Sequence, residues 1–343
     1  MAEPRTLQPP AVGPEPSASP PLLVVEGLHT QFQVRSGTVY AVDGASFTVA
    51  QGEAMGLVGE SGCGKTTAAL SIVRLLPCNG KVTGGRIALE GQDLLTLGEE
   101  ELRRIRWKKV SIIFQGAMNA LNPVRRVGDQ IAEAITLHEG LDRRAAQQRT
   151  RELFEQVEIG PARIDQYPHQ FSGGMRQRVM IAMALACRPS LVIGDEPTTA
   201  LDVMVQAQIL ELLENLRREM KMSLILITHD LSVVADTCDT VTIMYAGRVM
   251  EQGPLPLVFG HPAHPYTMAL LQAFPDLNGH REMVSSIPGT PPNLQCPPPG
   301  CRFHERCRYR GAGCQEEEPP LLEVEPGHRV ACHYPGAREV KPL

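Results

Sequence analysis

The sequence predicts an α/β fold whose core is a largely parallel sheet between two layers of helices. The apolar run Ala54–Val58 leads into a glycine-rich loop, and the loop into Thr66–Leu76, with Leu70, Val73 and Leu76 at helical spacing. Two more apolar runs, Leu191–Gly194 and Leu224–Thr228, flank the helical stretch Val205–Met220. Short apolar strands alternating with helices are the pattern of a parallel sheet covered on both faces.

The segments follow in chain order. Residues 1–21 hold seven prolines and almost no large apolar side chain. They cannot bury enough surface to offset the entropy of ordering, so a disordered tail is expected. Residues 22–260 form the main domain, opening with the strands Leu22–Val25 and Phe47–Val49. Within it, residues from about 116 to 190 are polar and helix-rich, a helical subdomain in which Ala145–Val157 presents Leu153, Phe154 and Val157. Residues 261–343 turn to Pro, Gly, His and Cys, the composition of a small irregular C-terminal domain.

A net charge of −5 gives no reason to expect nucleic-acid binding. No window approaches the roughly eighteen consecutive apolar residues of a membrane-spanning helix. The N-terminus also lacks the cationic start and apolar run of a secretory signal.

Gly59-Glu60-Ser61-Gly62-Cys63-Gly64-Lys65-Thr66 fits G-x-x-x-x-G-K-S/T. Glycines let backbone N–H groups turn inward around phosphate oxygens where a Cβ would obstruct the approach. Lys65 is placed for the outer phosphates and Thr66 for Mg²⁺, with Thr67 following on a helix whose positive end faces the same anion. Asp195 and Glu196 end the apolar run Leu191–Gly194. Asp195 suits the metal, and Glu196 a general base for water, although paired acids at a strand end are often only solvated ends. Gln115 follows the run Val110–Phe114 and suits a link to metal and water, while His229 follows the next strand, within reach of a terminal phosphate.

Phe171-Ser172-Gly173-Gly174-Met175-Arg176-Gln177-Arg178 resembles the LSGGQ signature of ATP-binding-cassette (ABC) ATPases. With it the other motifs fall in that family's order, over about Leu22 to Gly260: the phosphate loop, Gln115, Ser172–Gln177, Asp195-Glu196, Ala200-Leu201-Asp202 and His229. The resemblance implies a P-loop NTPase that binds ATP and Mg²⁺, the metal near Thr66, Gln115 and Asp195. It also implies a head-to-tail dimer in which Ser172, Gly173, Gly174, Gln177 and Asp202 of one subunit meet the nucleotide of the other. An aromatic side chain on the adenine is expected, either Phe32 or Tyr40.

A second resemblance narrows the family. Met118-Asn119-Ala120-Leu121-Asn122-Pro123 and His264-Pro265-Tyr266-Thr267 are similar to stretches of the D-type ATPases of dipeptide and oligopeptide permeases, a branch shared with nickel importers. Ile287-Pro288-Gly289 and Gly327–His333 fit the same region. The implied role is to power import from the cytoplasmic face of the membrane. The implied partners are a second, homologous ATPase, two channel subunits and an extracytoplasmic binding protein. A soluble ABC ATPase is the rival reading, but no heptad-bearing insertion or second cassette is present.

Five of nine cysteines fall in the last 48 residues. Cys301, Cys307, Cys314 and Cys332 are spaced C-x5-C-x6-C-x17-C, without the close pairs usual at zinc sites. Some ATPases of the D-type branch carry a 4Fe–4S cluster in this region, and these four resemble that set; zinc and unliganded thiols stay open as alternatives.

Overall fold

The computed structural model describes residues 20–116, 120–199, 201–273 and 287–336. Most of the expected tail, together with Met118, Asn119 and Ala200, lies outside the described residues.

The chain opens with β1 (Leu23–Val34) and β2 (Gly37–Val49), an antiparallel pair. Next come β3 (Ala54–Val58), α1 (Lys65–Ile72), β4 (Gly80–Leu89), β5 (Gln92–Asp93), α2 (Glu99–Ile105) and β6 (Val110–Ile113). Three helices then separate β6 from β7 (Leu191–Asp195): α3 (Val127–Glu139), α4 (Arg143–Gln156) and α5 (Gly173–Ala184). The run α6 (Val203–Met220), β8 (Ser223–Thr228), α7 (Leu231–Thr237), β9 (Thr240–Tyr245) and β10 (Arg248–Pro254) completes the cassette. Beyond it lie α8 (Leu255–Gly260), α9 (Pro265–Gln272), β11 (Leu322–Glu325) and β12 (His328–Val330).

Two sheets result. The larger has the order β11-β12-β10-β9-β3-β8-β7-β6, with β9, β3, β8, β7 and β6 parallel. Its central strands β3, β7 and β8 are buried along their whole length, as strands covered on both faces must be. The smaller, β2-β1-β4-β5, is antiparallel, and α1 packs between it and the parallel sheet. In the sequence only Leu22–Val25 and Phe47–Val49, at the outer ends of β1 and β2, carry a strand pattern. The register of β1 slips between Val25 and Leu28, where Gly27 has φ +54°, so the alternation that marks a strand breaks there. The helix expected over Thr66–Leu76 stops at Ile72, and Arg74 already has φ +51°.

The C-terminal region is joined to the cassette through the larger sheet. β12 pairs with β10, Val330 opposite Glu251 and Arg329 opposite Gln252. Glu251 is fully buried and gathers three donors: the N–H groups of Ala263 (2.7 Å) and His264 (2.9 Å) and Nε2 of His328 (2.7 Å). A buried carboxylate is tolerated when its oxygens are satisfied in this way.

His264 caps α9, its Nδ1 accepting the N–H of Tyr266 at 2.9 Å. Burial holds its pKa down at about 4, against 6.5 for a free imidazole. A depressed folded-state pKa contributes stability that is complete above pH 6.5 and is lost as pH falls toward 4. The gap corresponds to roughly 3 kcal/mol. Denaturant unfolding from about pH 7 to about pH 4.5 should therefore show a steeper loss for the natural chain than for His264→Asn, which keeps a cap acceptor but no proton site. Parallel slopes would mean that His264 takes up its proton as readily folded as unfolded.

Candidate nucleotide-binding and hydrolysis site

The phosphate loop is closed because backbone passes where side chains cannot. A Cβ on Gly59 (φ +154°) would collide with the Met244 carbonyl, and one on Gly64 (φ +106°) with the Ala41 carbonyl. Gly62, Ser61 and Thr66 face solvent. Lys65 turns back over the loop, its Nζ donating to the carbonyls of Gly59 (2.6 Å) and Glu60 (3.0 Å). Cys63 is buried beneath, beside the same ammonium. The helix opening at Lys65 has no side-chain cap and no acid in its first turn, which leaves the N–H groups of Lys65, Thr66 and Thr67 suited to an anion. Glu60 differs from its neighbours, because its N–H is given to the Tyr266 hydroxyl at 2.9 Å.

The parallel sheet carries the acids to this loop. Thr66 Oγ1 donates to Asp195 Oδ1 at 3.0 Å. Asp195 is 2% exposed, and burial raises its pKa, with help from Glu196 and against the Thr66 hydroxyl and Lys65. A divalent cation beside Thr66 and Asp195 would offset that cost. Glu196 takes φ +47°, a left-handed backbone that turns its side chain off the strand line. Its Oε2 accepts from Gln115 Nε2 at 2.6 Å and Thr199 Oγ1 at 3.0 Å, and its Oε1 lies 3.3 Å from His229 Nδ1. Gln115, Glu196 and His229, from the ends of three strands, thus meet at one carboxylate. Thr199 was not foreseen; its only signal was its place three residues after the acid.

Ser172 caps α5, its Oγ accepting the N–H of Met175 at 3.3 Å, and Asp202 caps α6, accepting the N–H of Val205 at 3.0 Å. Both residues are exposed. Gly174 serves packing as well as any ligand, since a Cβ there would come within 2.6 Å of Val205 Cγ1. Gly173 passes Leu201 with ordinary spacing, and Gln177 is buried inside the chain. α5 packs on α3, α4, α6 and β6, whereas α1 packs on β1, β2 and β7. The two glycine-opened helices therefore belong to different parts of the molecule.

The two candidate aromatics are separated by their neighbours. Phe32 lies over Gly80, where a Cβ would come within 2.6 Å of its ring. Tyr40 is half-buried and directly precedes Ala41, whose carbonyl closes over Gly64. The four cysteines also converge: Cys301, Cys307, Cys314 and Cys332 line one narrow cavity with His304 and His333. Burial pushes the thiols of Cys301 and Cys332 up to about 11 and about 12. Among the described residues no group of three or more His, Cys, Asp or Glu side chains is arranged to hold a metal ion, which lends geometric support to neither the iron–sulfur nor the zinc expectation.

A phosphate loop fed by one parallel strand, with strand-end acids delivered beside it by another, defines a P-loop ATPase. Residues 42–199 match the ABC transporter family, and residues 250–314 match the C-terminal region of oligopeptide/dipeptide transporters. The oligopeptide transport ATP-binding protein OppD of Escherichia coli is 48% identical over 316 residues, covering 92% of this chain and 93% of its own. A probable peptide ABC transporter ATP-binding protein, y4tR of Sinorhizobium fredii, is 47% identical over 315 residues, covering 91% and 94%. Among solved structures, the ATP-binding cassette MJ0796, a dimer in a post-hydrolysis state with ADP and Pi, superposes with a TM-score of 0.61 at 26% identity over 68% of this chain and 98% of its own. The chain belongs to the ABC transporter ATP-binding family, in its oligopeptide and dipeptide branch, and binds ATP and Mg²⁺.

Proposed function

We propose that this chain hydrolyses ATP to power import of di- or oligopeptides through separate membrane subunits, from the cytoplasmic face of the membrane. The observation that carries this is the pairing, in one chain, of an ABC cassette with the oligopeptide-transporter C-terminal region. Relatives named for oligopeptide transport match over nine-tenths of the chain. Among the described residues no helix is long and apolar enough to cross a membrane, so the channel is assigned to two partner subunits, fed by an extracytoplasmic binding protein.

In this reading the first-turn N–H groups of α1 and Lys65 hold the phosphates, and Thr66 and Asp195 hold Mg²⁺, with Gln115 beside them. When bound, the ion draws charge from the phosphate oxygens. Glu196 accepts the proton of the attacking water, while Gln115, Thr199 and His229 fix the direction of its carboxylate. Tyr40 is favoured over Phe32 for the adenine, because it adjoins the backbone that closes on Gly64. Dimerisation with a second, homologous ATPase is supported by Val203 and Met204 beside Asp202, which expose 82% and 72% of their surface. Apolar side chains so placed call for a partner. Ser172, Gly173, Gly174 and Asp202 are then offered across the interface, with Gln177 behind them.

Glu196→Gln in the assembled transporter should keep ATP binding and lose about 10²–10⁴-fold in kcat. Lys65→Ala should instead weaken nucleotide binding itself. Hydrolysis at the natural rate in Glu196→Gln would assign the base to another group.

For the cysteine cavity we favour a 4Fe–4S cluster on Cys301, Cys307, Cys314 and Cys332. What supports this reading is that the four line one cavity, Cys301 and Cys314 buried and Cys307 and Cys332 partly so, with the wide sequence spacing that suits a cluster. Bound iron would hold the four cysteines as thiolates and tie together a lobe with little core of its own. Anaerobically purified protein should absorb broadly near about 400 nm. A colourless, iron-free, folded protein would mean that the four thiols are structural only.

A further inference from the structure

Glu60 is held at three points, two of them by residues far from it in sequence. Arg306 pairs with its carboxylate through two parallel bonds, Nη1 to Oε2 at 2.6 Å and Nη2 to Oε1 at 3.0 Å. The hydroxyl of Tyr266, a fully buried side chain, receives its N–H at 2.9 Å. Its carbonyl receives Nζ of Lys65 at 3.0 Å. Both outside partners come from beyond the cassette, 206 and 246 residues along the chain.

The support behind them is buried and aromatic. Arg306 is buried, and its remaining donors reach the Pro288 carbonyl (2.8 Å) and the Tyr245 hydroxyl (3.2 Å). Its guanidinium lies 5.6 Å from the Tyr245 ring centroid and 5.9 Å from that of Phe303. Tyr245, Tyr266 and Phe303 pack mutually at 4.7 to 5.3 Å. Two parallel bonds from a planar fork fix direction as well as position, which a lysine ammonium reproduces only in charge.

We propose that Arg306 and Tyr266 are positioning residues for the phosphate loop: they set the Glu60 peptide, and the Glu60 carbonyl in turn aims Lys65 at the nucleotide. ATP affinity then depends on a region outside the cassette. The proposal rests on reading Gly59–Thr66 as the phosphate loop. Both residues bear on Glu60, so each acts on binding through the loop and leaves the chemical step to Glu196.

The test is equilibrium binding of a fluorescent ATP analogue to the full chain, alongside ATP hydrolysis by the assembled transporter. Arg306→Ala and Glu60→Gln should each weaken binding about 10-fold and raise KM for ATP, with kcat held within about twofold. Arg306→Lys should recover part of the affinity, and Tyr266→Phe should lose about threefold. Melting temperatures identify any variant that fails to fold, and Glu60→Gln, a near-isosteric change on a partly exposed side chain, keeps the question open if Arg306→Ala is one. A folded Glu60→Gln or Arg306→Lys with natural affinity and KM would overturn the proposal, as would a fall in kcat at unchanged KM. Lys65→Ala separates the two readings: if it binds nucleotide normally the phosphate loop itself is misassigned, and if it alone is impaired only the brace is wrong.

Discussion

Everything in this molecule depends on how tightly backbone closes on the loop at Gly59–Thr66. The carbonyls of Met244 and Ala41 occupy the space where a side chain on Gly59 or Gly64 would sit. β9 and β2 therefore form one wall of the loop, from the parallel sheet and the antiparallel sheet respectively. The two sheets must hold a fixed relation for the loop to exist, and α1 packed between them sets it. The acids obey the same constraint, since the Thr66–Asp195 hydrogen bond is made only if β7 and the loop end at the same level.

The C-terminal region is part of this arrangement. β12 extends the parallel sheet's antiparallel edge, Glu251 ties that strand to the cap of α9, and α9 delivers Tyr266 to Glu60. Arg306 lies in the stretch bounded by Cys301 and Cys307, two of the four cysteines facing one cavity. The irregular lobe has few strands and helices, so these polar ties and the aromatic group of Tyr245, Tyr266 and Phe303 do the holding that regular structure does elsewhere.

What was legible in the sequence was whatever has a local signature. Ala54–Val58 and Leu191–Gly194 are continuous apolar runs, and both are central strands. The glycine pattern from Gly59 to Lys65 and the Ser-Gly-Gly opening of α5 announce themselves by composition. The antiparallel sheet was half hidden, because the slip at Gly27 breaks the alternation of β1. Gly174 was read for its place near an anion, whereas its lack of a side chain is also required by Val205, a residue brought close only by the packing of α5 on α6. Thr199 had only its place three residues after Glu196 as a signal, and Arg306 had none, since its partner Glu60 is 246 residues away. Tyr266 stood in a recognised motif, but its target in the phosphate loop was visible only in three dimensions.

The coupling of ATP turnover to peptide import is what the cassette and its C-terminal region together imply. It is tested most directly by reconstituting the complete transporter in liposomes and measuring ATP hydrolysis as binding protein loaded with different solutes is added. Stimulation by di- or oligopeptide-loaded binding protein, with peptide appearing on the opposite side, is the result that follows from the cassette and its C-terminal region together. Stimulation by a metal ion or another solute with no response to peptides would refute it.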